Sequence, residues 1–276
     1  MTHIPQADYD VVGHYNQDKI NGFTDDLLTQ FIQFINPSQN QNILDVMGGN
    51  GNLTRRLLDH CTLHGISQPK STLFELSKTQ TDIAKSWLSP EECTVVCGDI
   101  LTLEHDHETS ITEQQFDCIF IKSANHEIPL SLQNKLYHNL FQLLRPGGQF
   151  INLGFLFDCE QEREELAGVT KIKDKLVGME NAVKNRYFLM RHEFYGLLEQ
   201  TGFEQISSAS RFDYRICSDA VKENYFPGQN EPPALRQIIS AQRDSITLVR
   251  NNRILFEQSR STMALPGEIT IARKPT

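Results

Sequence analysis

Ile43-Leu44-Asp45-Val46-Met47-Gly48-Gly49-Asn50-Gly51-Asn52-Leu53 runs from an apolar segment through a glycine-rich turn into the start of a helical pattern. A strand, such a turn and a helix together open a βαβ unit, and glycines there let the backbone come close to a ligand. The helix after the turn presents free N–H groups and the positive end of its dipole to anything bound there. Gly48, Gly49, Asn50 and Gly51 are therefore candidate ligand contacts.

Outward from this turn the pattern alternates. Residues 42–47, 71–76, 93–97, 116–121 and 149–155 read as short apolar strands, and 53–60, 78–88 and 130–144 as helices. Alternating strands and helices predict βαβ units around a parallel sheet, and near-continuous apolar strands predict helices on both of its faces. Upstream, Leu27, Leu28, Phe31, Ile32, Phe34 and Ile35 mark an amphipathic helix ended at Asn36-Pro37. Downstream, 158–187 reads as charged and helical, 191–201 as a helix, and 203–214 and 268–273 as closing strands. Between those strands a hairpin is expected from 246–250 and 253–256, turned by Asn251-Asn252.

Several strand ends aim polar groups at one place. Glu75 ends the second strand, Gly98-Asp99-Ile100 follows the third, and Lys122 to His126 follows the fourth. Ligands of doubly wound sheets bind beyond the carboxyl ends of the strands, where an acid such as Glu75 can accept both ribose hydroxyls. Asp99 stands where a side chain reaches an adenine edge. A dinucleotide turn calls for G-x-G-x-x-G, but Thr54 occupies the third glycine position and Asp45 precedes the turn. An acid there is poor company for a pyrophosphate and suits a cationic amino group. The expected ligand is a nucleoside with an amino-acid end, not NAD.

These segments resemble the class I S-adenosylmethionine-dependent methyltransferases, and within them the catalytic domain of small-molecule O-methyltransferases. Asp45 to Gly51 resembles their DVGGGTG turn, with Met47 in place of the first glycine. Phe74-Glu75-Leu76 resembles their acid motif of strand two, and Gly98-Asp99-Ile100 the GD after strand three. Asp117, Lys122, His126 and Glu127 follow the form D-x-x-x-x-K-x-x-x-H-D, with Glu127 where the family has Asp, and Leu144-Arg145-Pro146-Gly147-Gly148 resembles the L-x-P-G-G before strand five. The resemblance covers 41–155. It implies a Rossmann-like seven-stranded, mostly parallel sheet with helices on both faces, S-adenosyl-L-methionine as cofactor, and His126 as general base with Glu127 capping or orienting. Chemistry agrees: a hydroxyl attacks better as its proton leaves, and imidazole titrates near neutrality. The cofactor contacts expected are Asp45, Gly48, Gly49, Asn50, Gly51, Glu75, Leu76, Asp99, Ile100 and Lys122.

One domain of residues 1–276 is expected: an N-terminal lid and helix over 1–40, the cofactor core over 41–155, and substrate-side helical and hairpin insertions over 156–190 and 214–266. Tyr9, His14 and Tyr15 are candidates to close over the cofactor, and Tyr187, Phe188, Arg191, His192, Tyr225 and Phe226 to line the acceptor site. A net charge of -9 counts against nucleic acid as a partner. A mean hydropathy of -0.40 and the lack of a long apolar run count against a membrane span. No signal-like N-terminus is visible, and the six cysteines show no CxxC spacing, so free thiols in a reducing cytoplasm and no metal site are expected. The partner is a small-molecule acceptor; a homo-oligomer is compatible with the sequence. The alternatives to oxygen as the methylated atom are carbon or nitrogen, and the alternative to an enzyme is a catalytically silent binding module.

Overall fold

The structure is a computed structural model and describes residues 7–12, 22–106 and 111–276. A short helix, α1 (Asp8–Val12), precedes α2 (Asp25–Ile35). The Thr24 hydroxyl caps α2 by accepting from the Leu27 amide at 3.2 Å, and Asn36 closes it in the left-handed region. Then follow β1 (Asn42–Val46), α3 (Asn52–Leu63), β2 (Lys70–Glu75), α4 (Lys78–Trp87) and β3 (Cys93–Asp99). After the two-residue β4 (Glu104–His105), β5 (Phe116–Lys122), α5 (Leu130–Leu143) and β6 (Leu144–Phe155) complete the parallel core. The later chain forms α6 (Glu160–Leu176), α7 (Glu180–Asn185), α8 (Arg191–Thr201), β7 (Glu204–Cys217), α9 (Ser218–Tyr225), α10 (Pro233–Asp244), α11 (Ile246–Arg250), β8 (Ile254–Glu257) and β9 (Arg260–Arg273).

The sheet runs β4-β3-β2-β1-β5-β6-β9-β7, with β8 beside β9. Strands β3, β2, β1, β5 and β6 are parallel; β9 lies antiparallel to both β6 and β7. The chain leaves the centre in one direction through β2 and β3 and returns on the other side at β5. The β1/β5 boundary is thus the topological switch point, where a crevice opens at the strands' carboxyl ends.

Period-two alternation builds the two layers. Ile43 and Phe120 face the apolar cluster covered by α2 and α3, while Leu44, Ile119 and Ile121 face the one covered by α5 and α8. Each large apolar side chain so buried contributes roughly 1.5–3 kcal/mol, so the covered faces hold the sheet rigid behind the crevice. Phe194 and Leu198 are fully buried in the second layer.

The α/β class is as expected; the details differ in two places. Nine strands are present among the described residues where seven are predicted. The additional strands, β4 and β8, have two and four residues, too few to show an alternation. The stretch 246–250 is a helix, not the first strand of a hairpin. Glu165 explains this: its carboxylate accepts from the Thr247 and Leu248 amides, each at 2.9 Å, and satisfies N–H groups that open α11. The hairpin forms one step later, between β8 and β9, through Gln258 at φ 56°.

Candidate active site

Two cavities adjoin beyond the strand ends. The larger, about 350 Å³, is bordered by Met47, Gly49, Glu75, Leu76, Asp99 and Lys122, all at or just beyond the ends of β1, β2, β3 and β5. Its turn is tied to β2: the Met47 amide donates to the Phe74 carbonyl at 2.7 Å. Met47 and Gly49 take φ values of 57° and 56°. Met47 therefore holds a left-handed conformation that glycine takes without cost and other residues at about 1–3 kcal/mol.

Glu75 is the pivot of this cavity. Its Oε2 accepts from the Gly49 amide at 2.9 Å and its Oε1 from the Ser77 amide at 2.8 Å. Burial pushes its pKa up to about 7, against the lowering effect of those two amides. A carboxylate fixed in this way keeps lone pairs for further hydroxyl donors, and that chemistry fits a ribose. Asp99 is held by the Leu101 amide at 2.8 Å, and Lys122 stands 5.6 Å from the centre of the Phe23 ring.

The other residues expected at this ligand do not border the cavity. Asp45 is 2% exposed, and accepts from the Thr54 hydroxyl at 2.7 Å. Burial pushes its pKa up to about 7, and it braces the turn from beneath. A side chain on Gly48 would come within 2.9 Å of Asp45, so Gly48 faces that brace. Gly51, at φ 79°, packs toward Leu88 and Ala84 of the α4 region, and the Asn50 carbonyl accepts from the Trp87 indole at 2.7 Å. Ile100 is in the core layer, and Leu101 borders the cavity in its stead. For Asp45, Gly48, Asn50 and Gly51 the turn's own packing takes up the group, and for Ile100 the core beyond β3 does. Tyr15 and His14 lie outside the described residues.

The second cavity, about 160 Å³, contains His126 in its wall and shares Tyr9, Ser123, Glu127, Arg186 and Tyr214 with the first. His126 sits in a 3-10 turn, Asn125–Glu127, that follows β5. Its ring stacks on Phe188 at 5.1 Å, and its Nδ1 is buried without a hydrogen-bond partner. Burial, then the charges of Arg186 and Lys173, hold its pKa well below the ordinary imidazole value. Glu127 moves the other way: burial raises its pKa, with Arg186 and the Tyr9 hydroxyl bond opposing. Of the residues expected at an acceptor, Phe188 and Tyr225 line this cavity; Tyr187, Arg191, His192 and Phe226 do not.

Helix α1 straps the larger cavity. Asp8 accepts from the Asn181 and Ala182 amides at 3.0 and 2.7 Å. Asp10 accepts from the Ser77 hydroxyl and the Thr79 amide at 2.6 and 2.9 Å. Tyr9, between them, donates to Glu127 and borders both cavities. The sequence reading misses Lys173, Asp174 and Arg186. Arg186 Nε lies 2.8 Å from Asp174 Oδ2, and Lys173 Nζ 2.5 Å from Asp174 Oδ1. In sequence they belong to a charged segment that looks like a solvated helix face. Arg186 immediately precedes the aromatic pair Tyr187-Phe188, the one local hint that the segment turns inward. Among the described residues, no cluster of three metal-ligating side chains occurs, and no helix is long and apolar enough to cross a membrane.

Residues 43–148 match a family described as a methyltransferase domain. No curated protein matches the chain in sequence. Among solved structures, the YcgJ protein of Bacillus subtilis shares the fold at TM-score 0.71 and 14% identity, over 90% of this chain and 98% of that one. The [4+2]-cyclase SpnF is similar over all of both chains at TM-score 0.63 and 16% identity. The phosphoethanolamine N-methyltransferase 2 of Haemonchus contortus, solved with S-adenosyl-L-methionine, is similar at TM-score 0.58 and 15% identity over 96% of this chain and 57% of that one. These likenesses concern the fold. The family match falls on the strands and the turn that form the larger cavity. Over residues 43–148 the chain is thus similar to a methyltransferase domain, and that similarity covers the part of the fold that surrounds the larger cavity.

Proposed function

We propose that the chain methylates a hydroxyl oxygen of a small molecule held in the second cavity, and that His126 receives the hydroxyl proton. Glu75, Leu76, Gly49, Asp99 and Lys122 hold the cofactor in this reading, with Glu75 taking the ribose hydroxyls. One observation carries it: the two cavities meet along Tyr9, Ser123, Glu127, Arg186 and Tyr214, and the wall just past that border contains His126. S-adenosylmethionine, when bound, supplies a sulfonium methyl open to in-line attack.

The chain's own residues do three things. Glu75 and the turn fix the cofactor's orientation. The α1 strap and the apolar side chains of the second cavity keep water from the reacting atoms. His126, kept neutral at pH 7 by burial, is free to accept a proton, and a positioned base contributes roughly 10²–10⁴-fold. A base so depressed is weak, which suits an acceptor hydroxyl that is already acidic. Glu127, engaged by Tyr9, orients the loop that carries His126.

The test is incubation with methyl-tritiated S-adenosylmethionine and a panel of small hydroxyl compounds, with products resolved by mass spectrometry. Label in a methyl ether supports the reading. Label on carbon or nitrogen, or cofactor binding with no transfer to any acceptor, sinks it.

A further inference from the structure

At the neck between the cavities two cations share a single ion-paired carboxylate among the described residues. Asp174 is fully buried and faces two cations, Lys173 at 2.5 Å and Arg186 at 2.8 Å. The Arg186 side chain is 10% exposed, and among the described residues Asp174 is the single hydrogen-bond partner of its guanidinium. A guanidinium has five N–H donors, so most of those on Arg186 remain for something else, and the residue borders both cavities. The Lys173 ammonium stands 5.0 Å from the centre of the Tyr225 ring and also reaches the second cavity. Among the described residues Glu127 is the one acid in that cavity's wall, and it makes no ion pair with Lys173 or Arg186: its carboxylate is taken by the Tyr9 hydroxyl.

Charge taken out of water is costly unless it is paired and hydrogen-bonded. Away from the neck the wall is largely apolar, with Val169, Ile216, Val221, Ile238, Met263 and Leu265, and among the described residues it supplies no second carboxylate in ion-pair contact with Lys173 or Arg186. A sulfonium cofactor in the adjoining cavity would add another positive charge. An acceptor entering as an ammonium ion would make the imbalance worse, and a neutral one would leave it as it is.

We propose that the acceptor carries an anionic group of the carboxylate kind, which docks on Arg186 and Lys173 at the neck while its apolar body fills the second cavity. This rests on reading that cavity as the acceptor site. The fork of Arg186 matches a planar carboxylate, and charge-assisted hydrogen bonds from it are about twice as strong as neutral ones. The anion also fixes the register of the acceptor against His126, so the same contact serves binding and positioning.

Calorimetric titration of the whole chain, saturated with S-adenosylhomocysteine, tests this with three probes of one shape: 2-naphthoate, 2-naphthamide and 2-naphthylmethylammonium. The proposal expects the carboxylate to bind about tenfold or more tighter than the amide, and the ammonium not to bind. Lys173→Met, which leaves the Arg186–Asp174 pair in place, should remove most of that preference while S-adenosylhomocysteine affinity stays unchanged. Arg186→Lys should keep part of it, and Arg186→Gln should abolish it. An amide or ammonium that binds as well as the carboxylate, a preference that survives in Lys173→Met, or binding of none of the three at millimolar concentration overturns the proposal. Titration of S-adenosylhomocysteine into the parent separates the two readings. If the cofactor product fails to bind, the cofactor reading has failed; if it binds and naphthoate does not, only the anionic acceptor is lost.

Discussion

The two cavities are built from different materials. The larger is made of strand ends and one turn: its key contacts, Glu75 to the Gly49 and Ser77 amides, are between a side chain and backbone groups a few positions from a strand terminus. The second is made of side chains from α6, α9, α10, β7 and β9 together with the loop after β5. Its fixed point is an ion cluster, Lys173–Asp174–Arg186, not a turn. A cavity defined by backbone geometry is restricted in what it can hold, whereas one defined by side chains on a late insertion can change its ligand by substitution. In the proposed reading the cofactor belongs to the first kind of construction and the acceptor to the second.

Substitutions that act on one cavity and spare the other sharpen the contrast. The largest effect is expected at His126. His126→Ala should lower kcat by roughly 10²–10⁴-fold while S-adenosylhomocysteine affinity stays within a few-fold. The parent's rate should rise with pH through a group below the ordinary imidazole pKa, because burial favours the neutral ring, and the variant should lose that limb. Steady-state kinetics against pH, with an identified acceptor, decides this. A variant that keeps most of its kcat breaks the assignment, and one that loses cofactor binding as well breaks the division between the cavities.

Next in size is Asp174→Ala. Removing the shared carboxylate leaves two half-buried cations unpaired, a change whose cost approaches that of fully buried pairs, about 3–5 kcal/mol. Urea unfolding should show that loss, while cofactor affinity extrapolated to the native protein is retained. A loss under 1 kcal/mol would mean that solvent reaches the cluster and that it is no buried anchor.

What the sequence made legible follows the same division. The strand–turn–helix of residues 43–53 and the acid at Glu75 are visible because backbone requirements write themselves as glycines, apolar runs and fixed spacings. The core layers of α2 and α5 are visible for the same reason. Asp45, Gly48, Asn50 and Gly51 do not border the larger cavity, because a turn needs interior packing as well as a ligand face and both use small and polar residues; Ile100 packs into the core beyond β3. Lys173, Asp174 and Arg186 were invisible: a charged helical segment reads as solvated unless its tertiary neighbours are known. The helix at 246–250 depended on Glu165, a residue far away in sequence, and no local pattern contains that information.

A smaller effect separates two glycines of the turn. Gly51→Ala should lower the melting temperature by a few degrees, since its new methyl meets Leu88 at 2.8 Å at a backbone φ of 79°. Gly49→Ala should act more on S-adenosylhomocysteine affinity than Gly51→Ala does, because Gly49 borders the cavity. Equal behaviour of the two in melting and titration would remove the distinction between packing and contact.

The smallest effect is in pH. Glu75 is pushed up to about 7, well above an unfolded carboxyl, so in the free protein its contribution to stability is present below pH ~4 and is lost as pH rises through about 7. Hydroxyl donors favour the ionised form, so S-adenosylhomocysteine affinity should rise several-fold across the same window. Glu75→Gln should flatten that rise in calorimetric titrations between pH 6 and 8, and an unchanged slope would place the titration elsewhere.

The most direct measurement is calorimetric titration of S-adenosylhomocysteine into the parent, Glu75→Ala and Lys173→Met at one pH, with NAD as competitor. Hydrogen bonds to a charged group are each worth about 1.5–3 kcal/mol, so Glu75→Ala should weaken binding roughly tenfold or more, Lys173→Met should leave it unchanged, and NAD should not compete. Unchanged affinity in Glu75→Ala, an equal loss in Lys173→Met, or displacement by NAD would contradict the assignment of the larger cavity to the cofactor and of the second to the acceptor.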